Sequence, residues 1–179
     1  MKFVPLSRAR SAAAKPLLAA CAAIALAACG PGSQAPVAPA EVTRDTVCSL
    51  DGMLLADYPG PKAQIHYDQG PPDFFCDTVE MFSIYLRPEQ KRRVRALFVQ
   101  DMAKTEWNNP SGHWIDAKTA LYVIGSDMRG SMGPTLASFS REEDAKAFAA
   151  KHGGRVLRFD EVKPDMVTLD GGVIRDKMM

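Results

Sequence analysis

The 179-residue sequence has only three histidines and contains no HExxH, no Walker loop, no GxGxxG and no GxSxG. Those gaps remove the usual routes to zinc hydrolysis, phosphate cradling, dinucleotide binding and serine nucleophilic chemistry. The apolar run at residues 16–28, PLLAACAAIALAA, is thirteen residues long, short of the roughly 20 that a membrane-spanning helix needs. A dominant charge is missing too: 22 basic residues face 21 acidic ones. Residues 1–28 hold Lys2, Arg8, Arg10 and Lys15 and no acid, so the remaining 151 residues carry 18 basic and 21 acidic groups, a net charge of −3. Phosphate binding needs clustered positive charge, so nucleic acid is excluded as the main partner. The composition, 46% hydrophobic and 24% charged, is that of a globular chain with one domain or two very small ones.

What is present begins with an export signal. Four basic residues precede a short apolar stretch, the pattern of a signal peptide over residues 1–28. The stretch closes on Leu26-Ala27-Ala28-Cys29-Gly30, similar to the lipobox of bacterial lipoproteins, where the cysteine is lipidated and becomes the new N-terminus. The plain alternative is a secreted protein in which Cys29 is incidental. Lipidation with two or three acyl chains would anchor the chain stably where one would not. Gly30 lacks the aspartate that signals inner-membrane retention, which points to the outer membrane. Residues 29–43 are Gly-, Pro- and Ala-rich with little charge and read as the lipidated end and a flexible linker. The folded part is expected over 44–165, and 166–179 form a tail.

Inside that part, Ala63–Tyr67 alternates as a strand and Asp68-Gln-Gly-Pro-Pro is a turn. Asp73 is the expected cap of a helix over about 74–86, with Phe75, Val79, Phe82 and Leu86 on one apolar face. Residues 93–100 read as a strand. In the second half, 121–125 and 135–139 are strands on either side of a Gly-rich loop. Ser140-Arg-Glu-Glu143 is a capping box for a helix to His152 with Ala145, Phe148 and Ala149 buried; Gly153-Gly154 stop it, and 155–159 are the closing strand. The class is α+β: two small similar strand-helix-strand units, each a small antiparallel or mixed sheet with one helix, echoing each other in pattern only.

Sulfur is the chemistry on offer. Cys48-Ser-Leu-Asp-Gly-Met53 places a thiol and a thioether five residues apart around a glycine, so both sulfurs can converge on one ion. Soft thiolate and thioether donors select Cu(I) over hard cations. The alternative is that Cys48 is a small buried residue and Met53 a core filler. A second candidate is Gly125-Ser-Asp-Met128-Arg-Gly-Ser-Met132-Gly-Pro134, where Met132 stands between glycines in a connection expected on the surface. Gly130 and Gly133 are expected to let this loop swing without disturbing either sheet. Against that stands Met132 folded back over a strand edge. Cys76 is open to three roles: a copper ligand, a disulfide partner of Cys48 in an oxidising compartment, or a small core residue. His66, His113 and His152 read as structural or exposed.

The lipobox, the Cys48-x-x-x-Gly52-Met53 motif, the FFCDTVEMF stretch at 74–82 and YVIGSDMRGSMGPTLASF resemble the NosL family, copper chaperone lipoproteins encoded with nitrous oxide reductase. The resemblance runs from Cys48 to about Phe159. It implies a monomeric Cu(I) carrier in the periplasm, made of two similar small α/β units. It further implies that the carrier delivers copper, with an ABC-type maturation complex in the membrane, to the reductase's copper centres. Position by position, Cys48, Met53 and Met132 match the family's sulfur motifs; the extra cysteine some members have inside the first motif is replaced here by Ser49, Leu50 and Asp51. Two other readings stand beside it. One is a thiol enzyme of organomercurial-lyase-like fold using Cys48, Cys76 and Asp51 or Asp77, although that chemistry belongs in a reducing cytosol. The other is a structural lipoprotein without metal.

Overall fold

The strand expected from Ala63 is the hub of a sheet. In the computed structural model, which describes residues 35–169, β1 (Ala63–Tyr67) is followed by β2 (Asp73–Phe75), α1 (Thr78–Tyr85), β3 (Val94–Gln100) and β4 (Trp114–Asp116). The sheet order is β2-β1-β3-β4, antiparallel throughout. Ala63 stands opposite Phe75 on one side and Val99 on the other. The alternation along β1 suggests one wet face, yet Gln64 is fully buried. A buried amide must find partners, and it does: Gln64 accepts from the Ala40 amide at 2.8 Å and donates to the Ala40 carbonyl at 2.9 Å. Val42 packs on the core as well, so the last residues of the expected linker lie against the domain. The signal segment, the lipobox, residues 30–34 of the linker and residues 170–179 lie outside the described residues.

The second half contains β5 (Leu121–Ile124), β6 (Arg129–Gly130), β7 (Gly133–Pro134), β8 (Ala137–Phe139), α2 (Glu142–His152) and β9 (Arg155–Arg158). Here β5 is central, antiparallel to β8 on one side and β9 on the other. Each half is therefore strand, strand, helix, strand with its first strand in the middle, and the class is α+β. The echo is tighter than the pattern suggests, because the first half also has its second strand. The halves differ in the connection between their first two strands. It is the short turn 68–72 in the first and residues 125–136, including the β6–β7 pair, in the second.

That second strand overturns one expectation. The helix does not start at residue 74 behind Asp73: Phe74 and Phe75 pair with Gln64 and Ala63 in β2. Both aspartates are good caps, but aromatic residues favour a pleated, half-buried surface, and pairing with β1 decides the matter. Asp77 is the cap, its side chain accepting from the Val79 amide at 2.9 Å. Asp73 instead accepts from the Tyr67 hydroxyl at 2.9 Å and pairs with Arg92 at 3.0 Å. The Ser140–Glu143 capping box does not form either. Arg141 occupies the cap position without a side-chain bond, and Ser140 Oγ donates to buried Asp101 at 2.5 Å. The helix still suits its dipole, with Glu142, Glu143 and Asp144 in the first turn and Lys151 and His152 in the last.

One core joins the halves. Phe82 of α1 packs edge-on against Tyr122 of β5, with centroids 5.0 Å apart, and lies 5.2 Å from Phe159. A smaller cluster of Met102, Val123, Ala137, Phe139 and Ala145 sits under α2, where Trp107 stacks on Phe148. No helix among the described residues is long and apolar enough to cross a membrane.

Candidate metal centre

Cys48 sits at the head of a tight loop. Its amide donates to the Met53 carbonyl at 2.7 Å, the Gly52 amide returns to the Cys48 carbonyl at 2.9 Å, and Val47 bridges Leu54. The return needs Gly52 at φ +78°, a conformation costly for residues with a Cβ. The loop is stitched to β2: Ser49 donates to the Phe74 carbonyl at 2.7 Å, and the Phe74 amide donates to Ser49 Oγ at 3.0 Å. This brings Cys48 to the end of β2, where Cys76 and then α1 begin. Cys76 Sγ lies 3.8 Å from the Met53 carbonyl oxygen, one of two acceptors open to its single proton, the other being Cys48. Glu80, one turn into α1, places Oε2 3.3 Å from Cys48 Sγ.

The two sulfurs and one Glu80 oxygen lie within 4.8 Å of one another, and all three residues are buried. Both thiols are free. The hydrogen bond from the Cys76 thiol outweighs burial and, with the Leu50 amide, draws Cys48 down to about 6. Donating that bond and being buried push Cys76 up. Burial and the neighbouring Cys48 charge raise Glu80 to about 9. Cys48 is therefore the more acidic of the two thiols, and Glu80, its Oε2 within hydrogen-bond reach of Cys48 Sγ, is held toward its protonated form. Lys62 is the buried cation nearby: its ammonium donates to the carbonyls of Tyr58, Pro59 and Cys76 at 2.7, 3.1 and 3.1 Å. Burial lowers its pKa, and the surrounding Cys76, Asp77, Glu80 and Cys48 oppose that. A thiolate stabilised in this way is a soft donor that needs no base at neutral pH.

The expected ligands are placed unequally. Cys48 and Met53 share the loop, with the Met53 side chain partly buried against the core. Met132 is at the turn of the β6–β7 hairpin, 40% exposed. That hairpin is fastened beside Cys76 through Asp77, whose Oδ1 accepts from Thr135 Oγ1 at 2.6 Å. The loop is not free to swing about both glycines as the sequence suggests. Gly130 is buried, and a Cβ there would overlap the Asp77 carboxylate, so this glycine serves close approach; only Gly133 has a positive φ, +108°. Cys76 is a fully buried core residue and also the neighbour of Cys48. Glu80 is absent from the sequence-derived set, although its spacing of four from Cys76 is a signal that could have found it. Of the carboxylates weighed for a lyase-like set, Asp51 accepts from the Met53 amide at 3.0 Å and Asp77 caps α1; Glu80 is the one beside the thiols.

A family model described as NosL matches residues 39–167. A curated relative from Stutzerimonas stutzeri, the copper-binding lipoprotein NosL, is 43% identical over 149 residues, covering 82% of this chain and 78% of its own length. The copper-binding lipoprotein NosL of Achromobacter cycloclastes is 36% identical over 156 residues, covering 84% and 81%. The crystal structure of the copper chaperone NosL from Shewanella denitrificans superposes with a TM-score of 0.69 at 37% identity, covering 73% of this chain and 98% of that one. Motifs, paired units and relatives agree: the chain belongs to the NosL family.

Proposed function

We propose that this protein is a Cu(I) carrier of the periplasm, anchored to a membrane through lipidated Cys29, that hands copper on for assembly of the copper centres of nitrous oxide reductase. The observation that carries the reading is the buried cluster of Cys48, Cys76 and Glu80, whose donor atoms lie within 4.8 Å of one another, with Cys48 in a loop it shares with the Met53 thioether. Cys48 is the anchoring donor, and Met53 and Met132 complete a low-coordinate sulfur set suited to Cu(I). Cys76 and Glu80 steady the thiolate from behind. Met132, the exposed member, is the donor an acceptor can replace first, since a neutral thioether binds more weakly than a thiolate. The relatives' names support copper as cargo. The reductase and its ABC-type maturation complex as partners rest on the family resemblance, the monomeric state likewise, and the outer-membrane location on Gly30 alone.

The test is anaerobic loading of the mature lipoprotein in detergent, followed by X-ray absorption at the copper edge. One Cu(I) per chain with sulfur-dominated ligation supports the reading; no retained copper, or an oxygen- and nitrogen-dominated shell, overturns it. The delivery step is read in cells as copper loading of nitrous oxide reductase. Met132→Ala is expected to reduce it more than Met128→Ala, and the reverse order would remove Met132 from the site.

A further inference from the structure

We propose that Asp77 is a positioning residue for the copper site: it latches the β6–β7 hairpin to the start of α1, one residue from Cys76, and so fixes Met132 relative to Cys48. The inference rests on the carrier reading above for its copper readout, and its structural half stands without it.

Capping α1 does not account for how Asp77 is built in. A cap needs one side-chain acceptor facing solvent or a helix amide, whereas Asp77 is 1% exposed. Its Oδ1 serves the Val79 amide at 2.9 Å and also the Thr135 hydroxyl at 2.6 Å, on the segment leaving β7. Oδ2 faces Gly130 and is buried without a hydrogen-bond partner, and the hairpin backbone comes so close that residue 130 must be glycine. Leaving a carboxylate oxygen in that state costs stability, so a purely structural cap would be served better by a serine or threonine. The next residue repeats the attachment: Thr78 Oγ1 donates to the Leu136 carbonyl at 2.7 Å.

The hairpin is held from its other side as well. Trp107 Nε1 donates to the Arg129 carbonyl at 2.8 Å, and a Cβ on Gly60 would come within 3.0 Å of Gly130 Cα. Its root at Gly130 is therefore clamped between two walls, while Met132 at the turn stays exposed. That division suits a donor that must be aimed at a fixed point yet remain open to an acceptor.

The test uses Asp77→Ser, which keeps a competent helix cap but is too short to reach Thr135, and Thr135→Val, which removes the hydroxyl and leaves the cap untouched. In the copper-free mature lipoprotein, hydrogen exchange at the amides of residues 129–135 is expected to accelerate at least tenfold in both variants, with α1 amides unchanged. In competition against a Cu(I) chelator, each variant is expected to lose affinity by about tenfold to hundredfold, the range seen when groups supporting a metal ligand are removed. The deciding step is the cycle with Met132→Ala: in that background Asp77→Ser is expected to cost less than about twofold more. Unchanged exchange in the hairpin overturns the latch. Full additivity with Met132→Ala overturns the claim that Asp77 acts through that methionine, while the carrier reading survives. A chain that binds no Cu(I) while its hairpin amides do respond removes the carrier reading and leaves the latch as architecture.

Discussion

The two halves share a topology and use it differently. In the first, α1 is eight residues long and Thr78 to Phe82 are all buried, Glu80 among them. In the second, α2 is eleven residues long, only Ala145 is buried, and its outer face carries ordinary ion pairs such as Lys146 with Glu142 at 2.6 Å. The helix whose first five residues are buried has Cys48, the Glu80 carboxyl and the capping Asp77 around it; the solvated one has none of these. The second half contributes its lengthened β5–β8 connection, which reaches back to Asp77 with Met132. A repeated topology thus carries a buried thiol–carboxylate cluster in one half only, and the other half has an arm, the place of the proposed Met132 donor, where its counterpart has only a turn.

If that contrast is sound, substitutions of the core-facing phenylalanines of the two helices should separate sharply. Phe82→Ala removes a fully buried ring packed on Tyr122 and Phe159 and is expected to cost about 4 kcal/mol in urea unfolding. Phe148→Ala, under α2 and only partly buried, is expected to cost about 1–2 kcal/mol. Equal losses would mean that the two helices bear on the core alike.

A smaller effect is expected at Asp101, which ties the end of β3 to the start of α2. It accepts from Ser140 Oγ at 2.5 Å and pairs with Lys104 at 3.0 Å while itself fully buried. Asp101→Ala should cost about 2 kcal/mol, mostly from stranding Ser140 and its amide. Burial alone would raise this carboxyl, but Ser140, Lys104 and the Ser140 and Ala103 amides outweigh it and hold it below the ordinary value. A depressed folded pKa contributes stability above the unfolded carboxylate value, and that share is lost as pH falls through that value toward the folded one. An acid titration of Tm should therefore be shallower between pH 5 and 3 for the variant than for the parent, a window on the order of the unfolded carboxylate value. An identical slope would remove Asp101 from the acid response.

At the far end, Glu142→Ala on the exposed face of α2 breaks a fully solvated pair and should leave Tm unchanged within error, since such pairs are screened and entropically costly. A clear drop would show that α2 depends on its surface charges.

What the sequence revealed followed from periodicity. β1, β3, β5, β9 and α2 are legible within a residue or two, because apolar periodicity marks the element type even where burial departs from it, as at Gln64 in β1 and half-buried Phe148 in α2. β2 was read as helix, since Asp73 and Asp77 are equally good caps and only the register with β1 separates them. The β6–β7 pair was invisible as strands: two-residue strands made of Arg, Gly and Pro have no period, and their position is set by contact with Asp77 and Trp107. Of the buried cluster, Cys48 is legible because sulfur in loops is unusual, and the same signal singles out Met53 and Met132, the donors proposed to join it. Glu80 and Lys62 are not legible, because a charged residue in sequence looks solvated until the fold removes its water.

In the proposed carrier, Cys48 alone anchors the metal and Cys76 supports it. Competition of the mature lipoprotein against a Cu(I) chelator under anaerobic, reducing conditions tests this most directly. Cys48→Ser is expected to lose more than about hundredfold in affinity, while Cys76→Ser, which removes the second sulfur but leaves a hydroxyl that can still donate to Cys48, is expected to lose no more than about tenfold. Equal, large losses in the two variants would contradict the account and make the centre a two-thiolate site.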